Sequence, residues 1–252
     1  MSKPIPPLDP DLLLRAYTVG VFPMADSRDA ASIYWVEPKI RAVLPLDGFH
    51  LSRSLRKVLS SGRYQTTACR AFDDVVALCA EAAPDRPATW INNQIEQAMR
   101  TLHRQGYAHS IETWCDGQLV GGLYGVAIGG AFFGESMVSR ATDASKIALA
   151  HLVARLRAAG FTLLDCQFQT SHLASLGAVE VSRETYLTML AAALGTGGAA
   201  VGGGGAAAGA AAAWPDFFAL DEGEVELASD GAATVSGPTS ACRIMQALVH
   251  TS

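Results

Sequence analysis

The stretch HSIETWC-DG-QLVGGLYGVAI-GG-AFFGESMV, residues 109–138, decides the fold of this chain. Its three apolar runs are rich in aromatic and β-branched residues, and each gap between them holds only two residues, Asp116-Gly117 and Gly129-Gly130. Asp-Gly and Gly-Gly are typical of the tight turns that join neighbouring antiparallel strands. The stretch therefore predicts an antiparallel meander of three strands.

The chain beyond the meander predicts a long helix from about Asp143 to Ala159, followed by a strand, FTLLDCQF, at 161–168. The apolar character of this strand is typical of the middle of a sheet, so we expect it to insert beside the meander. Two further helices are predicted before the meander, at 71–82 and 92–105. This order of elements indicates an α+β domain.

The N-terminal segment predicts a smaller α+β unit. Asp9 and Pro10 suit the first turn of a helix that Gly20 ends. Short strands are expected at 33–36 and 41–46, and a helix at 52–61. The predicted division is a small N-terminal domain at 1–62, a larger domain at 63–194, a flexible Gly/Ala-rich insert at 195–213 and a C-terminal tail at 214–252, whose WPDFFAL segment is expected to dock back through its aromatic rings.

Composition excludes several classes of protein. The chain has 252 residues, 50% of them apolar, which is enough for one main core with a smaller partner. No leader and no apolar run of about 20 residues is present, so we expect a soluble, cytoplasmic protein. The five cysteines are scattered without metal-site spacing, so we expect no metal. A net charge of -5 argues against nonspecific coating of nucleic acid, but it permits a local basic patch and suits a positively charged partner.

A carboxylate and an amide share one face of the predicted buried strand. Asp165 and Gln167 lie about 6.6 Å apart along it, because side chains alternate between faces. A buried carboxylate needs a partner, a cavity or water. Asp165 is therefore either a structural group satisfied by backbone amides or an Arg, or part of a functional site.

A second acid lies on the third strand of the meander. Glu135 shares a face with Phe133 and Met137, which places one carboxyl group between two apolar side chains. Such a wall fits a pocket that holds an apolar group beside an amine. The alternative is an ordinary edge-strand Glu that faces solvent.

Two groups of cations are candidates for RNA contact. Arg53, Arg56 and Lys57 lie on neighbouring turns of the predicted helix at 52–61, and they form either a solvated face or a phosphate-binding surface. Arg140 and Lys146 flank the start of the long helix, where Thr142, Asp143 and Ser145 are available for capping. That pair is expected either to meet an RNA phosphate or to neutralise the two acids.

Several motifs together resemble the leucyl/phenylalanyl-tRNA–protein transferase family. They are, in chain order, LLLRAYTVGVFP, YWVEPKIRAVLPL, HLSRSLRK, TWI, HSIETW, LVGGLYGVAIGGAFFGESMVSRATDASKIAL, LLDCQ, HLASLGA and SRETYL, over roughly residues 11–190. The most specific piece is GESMVSRATDASK, followed by LLDCQ and SLGA. One departure is Met24, where the family often has Trp.

The resemblance implies a GNAT-like C-terminal domain, with the small α+β N-terminal domain, and an enzyme without a cofactor. It implies transfer of Leu or Phe from aminoacyl-tRNA to proteins that begin with Arg or Lys, which marks them for degradation. It also implies a catalytic role for Asp165, Gln167 and Glu135, and tRNA contact by the basic helix. The substrate-binding residues implied are Leu123, Phe132, Gly134, Met137, Leu164 and Trp90.

The expected mechanism depends mainly on positioning, because the aminoacyl ester is already activated. We expect Asp165, through or beside Gln167, to orient the incoming amine and take up its proton, and Glu135 to hold the acceptor's positive charge. The reverse assignment of the two acids stays open. Two other functions are possible, an acyl-CoA-dependent N-acetyltransferase and a noncatalytic RNA- or peptide-binding module. The acetyltransferase is disfavoured because SRATDASK has no glycine for a turn that binds pyrophosphate. We expect a monomer.

Overall fold

The computed structural model describes residues 7–81, 88–195, 215–221, 225–227, 231–235 and 237–249. The predicted Gly/Ala-rich insert therefore lies outside the described residues, apart from Gly195. Within the described ranges, none of the helices combines the length and apolar character needed to cross a membrane.

The described chain alternates helices and short strands before the meander and after it. The strands are β1 Phe22–Met24, β2 Tyr34–Val36, β3 Ile40–Val43, β4 Gln65–Ala68, β5 Ala108–Cys115, β6 Gln118–Ile128, β7 Ala131–Ser139, β8 Leu163–Gln167, β9 Val179–Ser182, β10 Val225–Leu227 and β11 Ala233–Val235. The helices are α1 Pro10–Thr18, α2 Arg53–Ser60, α3 Phe72–Ala80, α4 Asn93–Arg104, α5 Ala144–Ala159, α6 Ser171–Ser175, α7 Arg183–Ala193 and α8 Ala241–Val249, with a 3-10 turn at Leu46–Gly48.

The main sheet has seven strands in the order β4-β5-β6-β7-β8-β3-β9. The predicted meander is confirmed, since β5, β6 and β7 pair antiparallel in sequence. Asp116 and Gly117 both have positive φ, 51° and 75°, as a two-residue hairpin turn requires. The predicted insertion of the last strand is also confirmed, because β8 pairs parallel with β7. The protein is thus an α+β fold with a mixed sheet.

Strand β3 lies elsewhere than the sequence suggested. The segment at 41–46 was expected in the small N-terminal domain, but β3 lies between β8 and β9 in the main sheet. It also ends at Val43, because Pro45 lacks an N–H for the sheet and a 3-10 turn follows. The short strands β4 and β9 were missed. The domain boundaries at 62 and 194 stay predictions.

Two apolar clusters pack on opposite faces of the sheet. One includes side chains of α1, α3, α4 and α7, and the other includes most buried side chains of α5. On the α5 face, a Cβ added at Gly125 would lie 2.4 Å from the Phe132 ring. The absence of a side chain at Gly125 therefore lets this ring lie directly on strand β6.

The C-terminal segment packs on the face that α5 covers. Phe217 and Phe218 are buried, and Phe217 stacks on His109 with ring centroids 4.1 Å apart. Arg155 of α5 forms a fully buried ion pair with Asp221. These contacts confirm the expected docking through aromatic rings for the two phenylalanines, while Trp214 lies outside the described residues.

Candidate active site

A cavity of about 380 Å³ opens where strands β7 and β8 separate. The two strands pair only from Ala131 to Phe133 and from Leu163 to Asp165, and the next residues of each strand line the cavity. Its volume lies within the usual range for a small-molecule pocket. The lining residues from the sheet, α5, α6 and the segment before α4 are Trp90, Leu123, Tyr124, Gly134, Glu135, Ser136, Met137, Leu149, Leu152, Leu164, Cys166, Gln167, Phe168, Thr170, His172 and Leu173.

Most of the residues singled out in the sequence meet at this cavity. The wall includes Glu135, Gln167, Trp90, Leu123, Gly134, Met137 and Leu164. Asp165 and Phe132 are 0% exposed and lie behind the wall. The basic residues Arg53, Arg56 and Lys57 are exposed on α2 and do not line the cavity.

Glu135 and Gln167 bridge the gap between the separating strands. Gln167 Nε2 donates a hydrogen bond of 2.7 Å to Glu135 Oε1. The other oxygen, Glu135 Oε2, is buried without a hydrogen-bond partner among the described residues, and the same is true of the Tyr17 hydroxyl. The site therefore offers one carboxyl oxygen fixed by Gln167 and one without a hydrogen bond of normal geometry, and the Tyr17 hydroxyl is near enough to act on the Glu135 carboxyl group.

Burial raises the pKa of Glu135 to about 8. The hydroxyl of Tyr17 opposes this rise, the negative charge of Asp165 adds to it, and Arg41 and Gln167 oppose it more weakly. Burial also raises the pKa of Tyr17, so this residue keeps its proton. Glu135 can therefore gain or lose a proton near the pH of the cell.

Asp165 is saturated with hydrogen bonds. Arg41 Nε lies 2.9 Å from Oδ1, and Arg41 Nη2 lies 2.5 Å from Oδ2. The Tyr186 hydroxyl donates to Oδ2 at 2.8 Å, and the backbone N–H of Gln167 donates to Oδ1 at 2.8 Å. Asp165 thus has the Arg partner that its burial required, and its oxygens point away from the cavity wall.

Three residues of the site were missed in the sequence. Arg41, Tyr186 and Tyr17 all lie far along the chain from the acids they serve. One signal was available for Arg41, because a charged residue in the apolar segment RAVLPL needs a buried partner. Nothing in the local sequence distinguishes Tyr17 or Tyr186 from ordinary core tyrosines.

The cations near α5 do not neutralise the two acids. Arg140 pairs with Glu81, and Lys146 pairs with Asp143 at 2.7 Å. The expectation that this pair neutralises Asp165 is therefore wrong, since Arg41 is the cation that pairs with Asp165. Asp143 precedes the helix with φ 64° and makes no capping hydrogen bond through its side chain.

Cys166 and His172 both line the cavity, but they do not form a nucleophilic pair. Burial raises the pKa of the Cys166 thiol, and the nearby Asp165 charge raises it further. Burial lowers the pKa of His172. A thiol that keeps its proton is a poor nucleophile, so the site lacks an activated cysteine.

A mainly apolar cavity whose lining includes a carboxyl group and an amide suits an enzyme that joins an apolar acyl donor to an amine, as an acyltransferase does. The chain belongs to the leucyl/phenylalanyl-tRNA protein transferase family. The model of that family matches residues 43–191, and the model of its N-terminal domain matches residues 7–39. The protein is therefore an aminoacyltransferase of this family.

Several relatives match this chain at high identity. A leucyl/phenylalanyl-tRNA–protein transferase of Rhizorhabdus wittichii is 63% identical over 97% of this chain and 99% of its own length. Proteins of the same name from Zymomonas mobilis and Paramagnetospirillum magneticum are 60% and 58% identical, over 74% and 75% of this chain and 70% and 90% of theirs.

A solved structure of L-PGS from Bacillus licheniformis overlaps with 66% of this chain and 55% of its own, at 13% identity and a TM-score of 0.38. A TM-score of this size does not define a shared fold.

Proposed function

We propose that this protein moves Leu or Phe from aminoacyl-tRNA to the N-terminal α-amine of proteins that begin with Arg or Lys, and so marks those proteins for degradation. The observation that carries the proposal is a mainly apolar cavity whose lining includes the hydrogen-bonded pair Glu135 and Gln167, in a chain of this family. The cavity takes the aminoacyl side chain, and this polar pair meets the amine.

The apolar walls select the donor. Leu123, Met137, Leu152 and Leu164 enclose the space with hydrocarbon, which favours Leu and Phe over polar amino acids. Phe132 supports this wall from behind. One methylene changes the free energy of binding by only about 1–3 kcal/mol, so some transfer of Met is expected.

The reaction forms one amide bond and breaks one ester bond. The neutral α-amine attacks the ester carbon and its nitrogen loses a proton, while the tRNA ribose leaves with the ester oxygen, which gains a proton and becomes a hydroxyl group. An α-amine has an ordinary pKa of about 7.7–8.0, which is close to the pKa of about 8 of Glu135. Matched values favour proton transfer, so we assign the uptake of this proton to Glu135 through Oε2, the oxygen that Gln167 does not bind.

Gln167 and Asp165 then have distinct roles. The Gln167 amide fixes Glu135 Oε1 and offers its own oxygen to an amine N–H. Asp165 was expected to take up the proton itself. We now assign it an indirect role, because its oxygens already accept hydrogen bonds from Arg41, Tyr186 and Gln167.

The basic helix α2 is the proposed tRNA contact. Arg53, Arg56 and Lys57 are exposed and make no ion pair with the part of the chain that the structure describes. Cations in this arrangement suit phosphates without reading bases. Trp90 at the cavity is proposed to meet the aminoacyl end of the tRNA.

We further propose a GNAT-like catalytic domain, since a parallel strand pair that separates at the site supports that arrangement. The working form is proposed to be a cytoplasmic monomer, because charged tRNA and newly exposed protein N-termini meet in the cytoplasm. The net charge of -5 suits acceptors that begin with Arg or Lys.

The test is transfer of labelled Leu from leucyl-tRNA to peptides that begin with Arg, Lys or Ala, with acetyl-CoA as a parallel donor. Transfer to the Arg and Lys peptides but not to the Ala peptide supports the proposal. Acetyl transfer without leucyl transfer would identify an acyl-CoA-dependent N-acetyltransferase instead. Binding of leucyl-tRNA without any transfer would favour a noncatalytic module.

A further inference from the structure

Behind the cavity wall, Arg41 contacts several buried residues that do not line the cavity. This residue is 1% exposed, and its guanidinium lies between two aromatic rings, 4.7 Å from the Phe22 centroid and 4.5 Å from the Tyr186 centroid. It donates to the Gly20 carbonyl at 3.0 Å and to both oxygens of Asp165. Arg41 thus joins the end of α1 and strand β3 to strand β8.

Asp165, held by Arg41, in turn fixes the backbone of Gln167. Its Oδ1 accepts the backbone N–H of Gln167, which has φ 62°. A non-glycine residue in the left-handed region is held there by its surroundings. The hydrogen bond to Asp165 is one such restraint, and the side chain of Gln167 leaves from this backbone to reach Glu135.

We infer that Arg41 is a positioning residue for the transfer reaction: through Asp165 it fixes the backbone of Gln167, and so the hydrogen bond between Gln167 and Glu135 at the cavity. The inference rests on the proposed function. It extends that function to a residue that does not touch the cavity.

The chain offers a matched comparison in Arg155. Arg155 and Asp221 are both 0% exposed, and the guanidinium lies 5.2 Å and 5.8 Å from the rings of Phe217 and Phe218. The described hydrogen-bond partners of Arg155 include Thr239 and His151, and none of them lines the cavity. Arg155 therefore resembles Arg41 in burial and chemistry but joins α5 to the C-terminal segment.

The experiment compares Arg41→Gln with Arg155→Gln in the full chain. Both substitutions leave a buried carboxylate without its cation, so both are expected to lower the melting temperature. Leucyl transfer to a peptide with N-terminal Arg is then measured at a temperature where every variant is folded. Arg41→Gln is expected to lower kcat by about tenfold to a hundredfold, because small misplacements of a reacting group have effects of this size. Its KM for leucyl-tRNA should stay within about twofold, since Arg41 does not line the cavity, and Arg155→Gln should keep kcat within about threefold.

Tyr186→Phe provides a second variant if Arg41→Gln does not fold. It keeps the ring beside Arg41 and removes only the hydroxyl that donates to Asp165. We expect a kcat about twofold to tenfold below the wild type. A double-mutant cycle with Asp165→Asn should show that Arg41→Gln lowers kcat little further once Asp165 is changed, because Arg41 acts on Gln167 through Asp165.

The outcomes separate this inference from the proposed function. A wild-type kcat in Arg41→Gln or Tyr186→Phe, or an equal loss in Arg41→Gln and Arg155→Gln, would overturn the inference while transfer by the wild type still supports the function. A wild-type protein that transfers neither Leu nor Phe would reject both.

Discussion

Glu135→Gln tests the assignment of the proton acceptor. The substitution keeps the size of the side chain and an acceptor for Gln167 Nε2, but it removes the group whose pKa burial raises to about 8. If Glu135 takes up the proton of the amine, kcat/KM for leucyl transfer should fall by about a hundredfold to ten-thousandfold.

The pH dependence gives a sharper result than the loss itself. If Glu135 is the proton acceptor, transfer by the wild type requires two deprotonated groups, the acceptor amine and Glu135, and both have a pKa near 8. Below about pH 7, the logarithm of kcat/KM should therefore rise with a slope near two. In Glu135→Gln only the amine titrates, so the slope should be near one.

Stability should change with pH in the same variant pair. The pKa of Glu135 is about 8 in the folded protein and about 4.3 in the unfolded chain. A carboxyl group with a raised folded pKa contributes its full stability below the unfolded pKa and loses it as the pH rises through the folded pKa. Between pH 4 and pH 9, wild type should lose about 5 kcal/mol relative to Glu135→Gln, measured by urea unfolding at each pH.

The control is Glu112→Gln, which changes another buried glutamate outside the cavity wall. Glu112 accepts hydrogen bonds from Ser110 of its own strand β5 and from Thr67 of the neighbouring strand β4. This variant should keep the slope near two, even if it is less stable. A slope near one in the wild type, or a slope near two in Glu135→Gln, would refute the assignment of Glu135 as proton acceptor.

Three further predictions address the donor, the RNA and the tail. Methionyl-tRNA should be used with a kcat/KM about 10- to 200-fold below leucyl-tRNA in a labelled transfer assay, and strict refusal would contradict an open apolar cavity. Replacing Arg53, Arg56 and Lys57 together by Ala should raise KM for leucyl-tRNA. In a filter-binding titration, the slope of log affinity against log salt should become shallower by about two, and an unchanged slope would mean that the RNA binds elsewhere. Phe217→Ala should lower the free energy of unfolding, measured with urea, by about 3–5 kcal/mol, because it removes a buried ring stacked on His109. A loss under about 1 kcal/mol would mean that the C-terminal segment contributes little to stability.

Local sequence signals predicted the centre of the sheet. The dipeptides Asp116-Gly117 and Gly129-Gly130 define their turns by backbone conformation alone, and the meander follows from them. Strands β4 and β9 have only four residues each, QTTA and VEVS, and segments this short are ambiguous even where apolar and polar residues alternate, as in VEVS. They are strands because a neighbouring strand pairs with them.

The partners of the acids lay beyond local prediction. Strand alternation placed Asp165 and Gln167 together, and burial required a partner for Asp165. The choice of Arg41 depends on a contact across 124 positions of sequence, made by a strand that was assigned to another domain. The separation of β7 from β8, which decides that Gln167 reaches the cavity and Asp165 does not, is likewise a property of the folded sheet.

The two acids of the site, Asp165 and Glu135, carry the same carboxyl group but differ in their hydrogen-bond partners. Asp165 receives hydrogen bonds from a guanidinium, a phenol and a backbone amide, so every oxygen is already engaged. Glu135 receives one from the Gln167 amide, and its Oε2 has none of normal geometry among the described residues, although the nearby Tyr17 hydroxyl acts on this carboxyl group. A carboxylate that gains more hydrogen bonds is stabilised in its charged form, while a buried one with few is held near neutrality. Burial raises the pKa of Glu135 to about 8, so this acid can exchange a proton near cellular pH, and this supports the proposal that Glu135 takes up the proton while Asp165 positions Gln167.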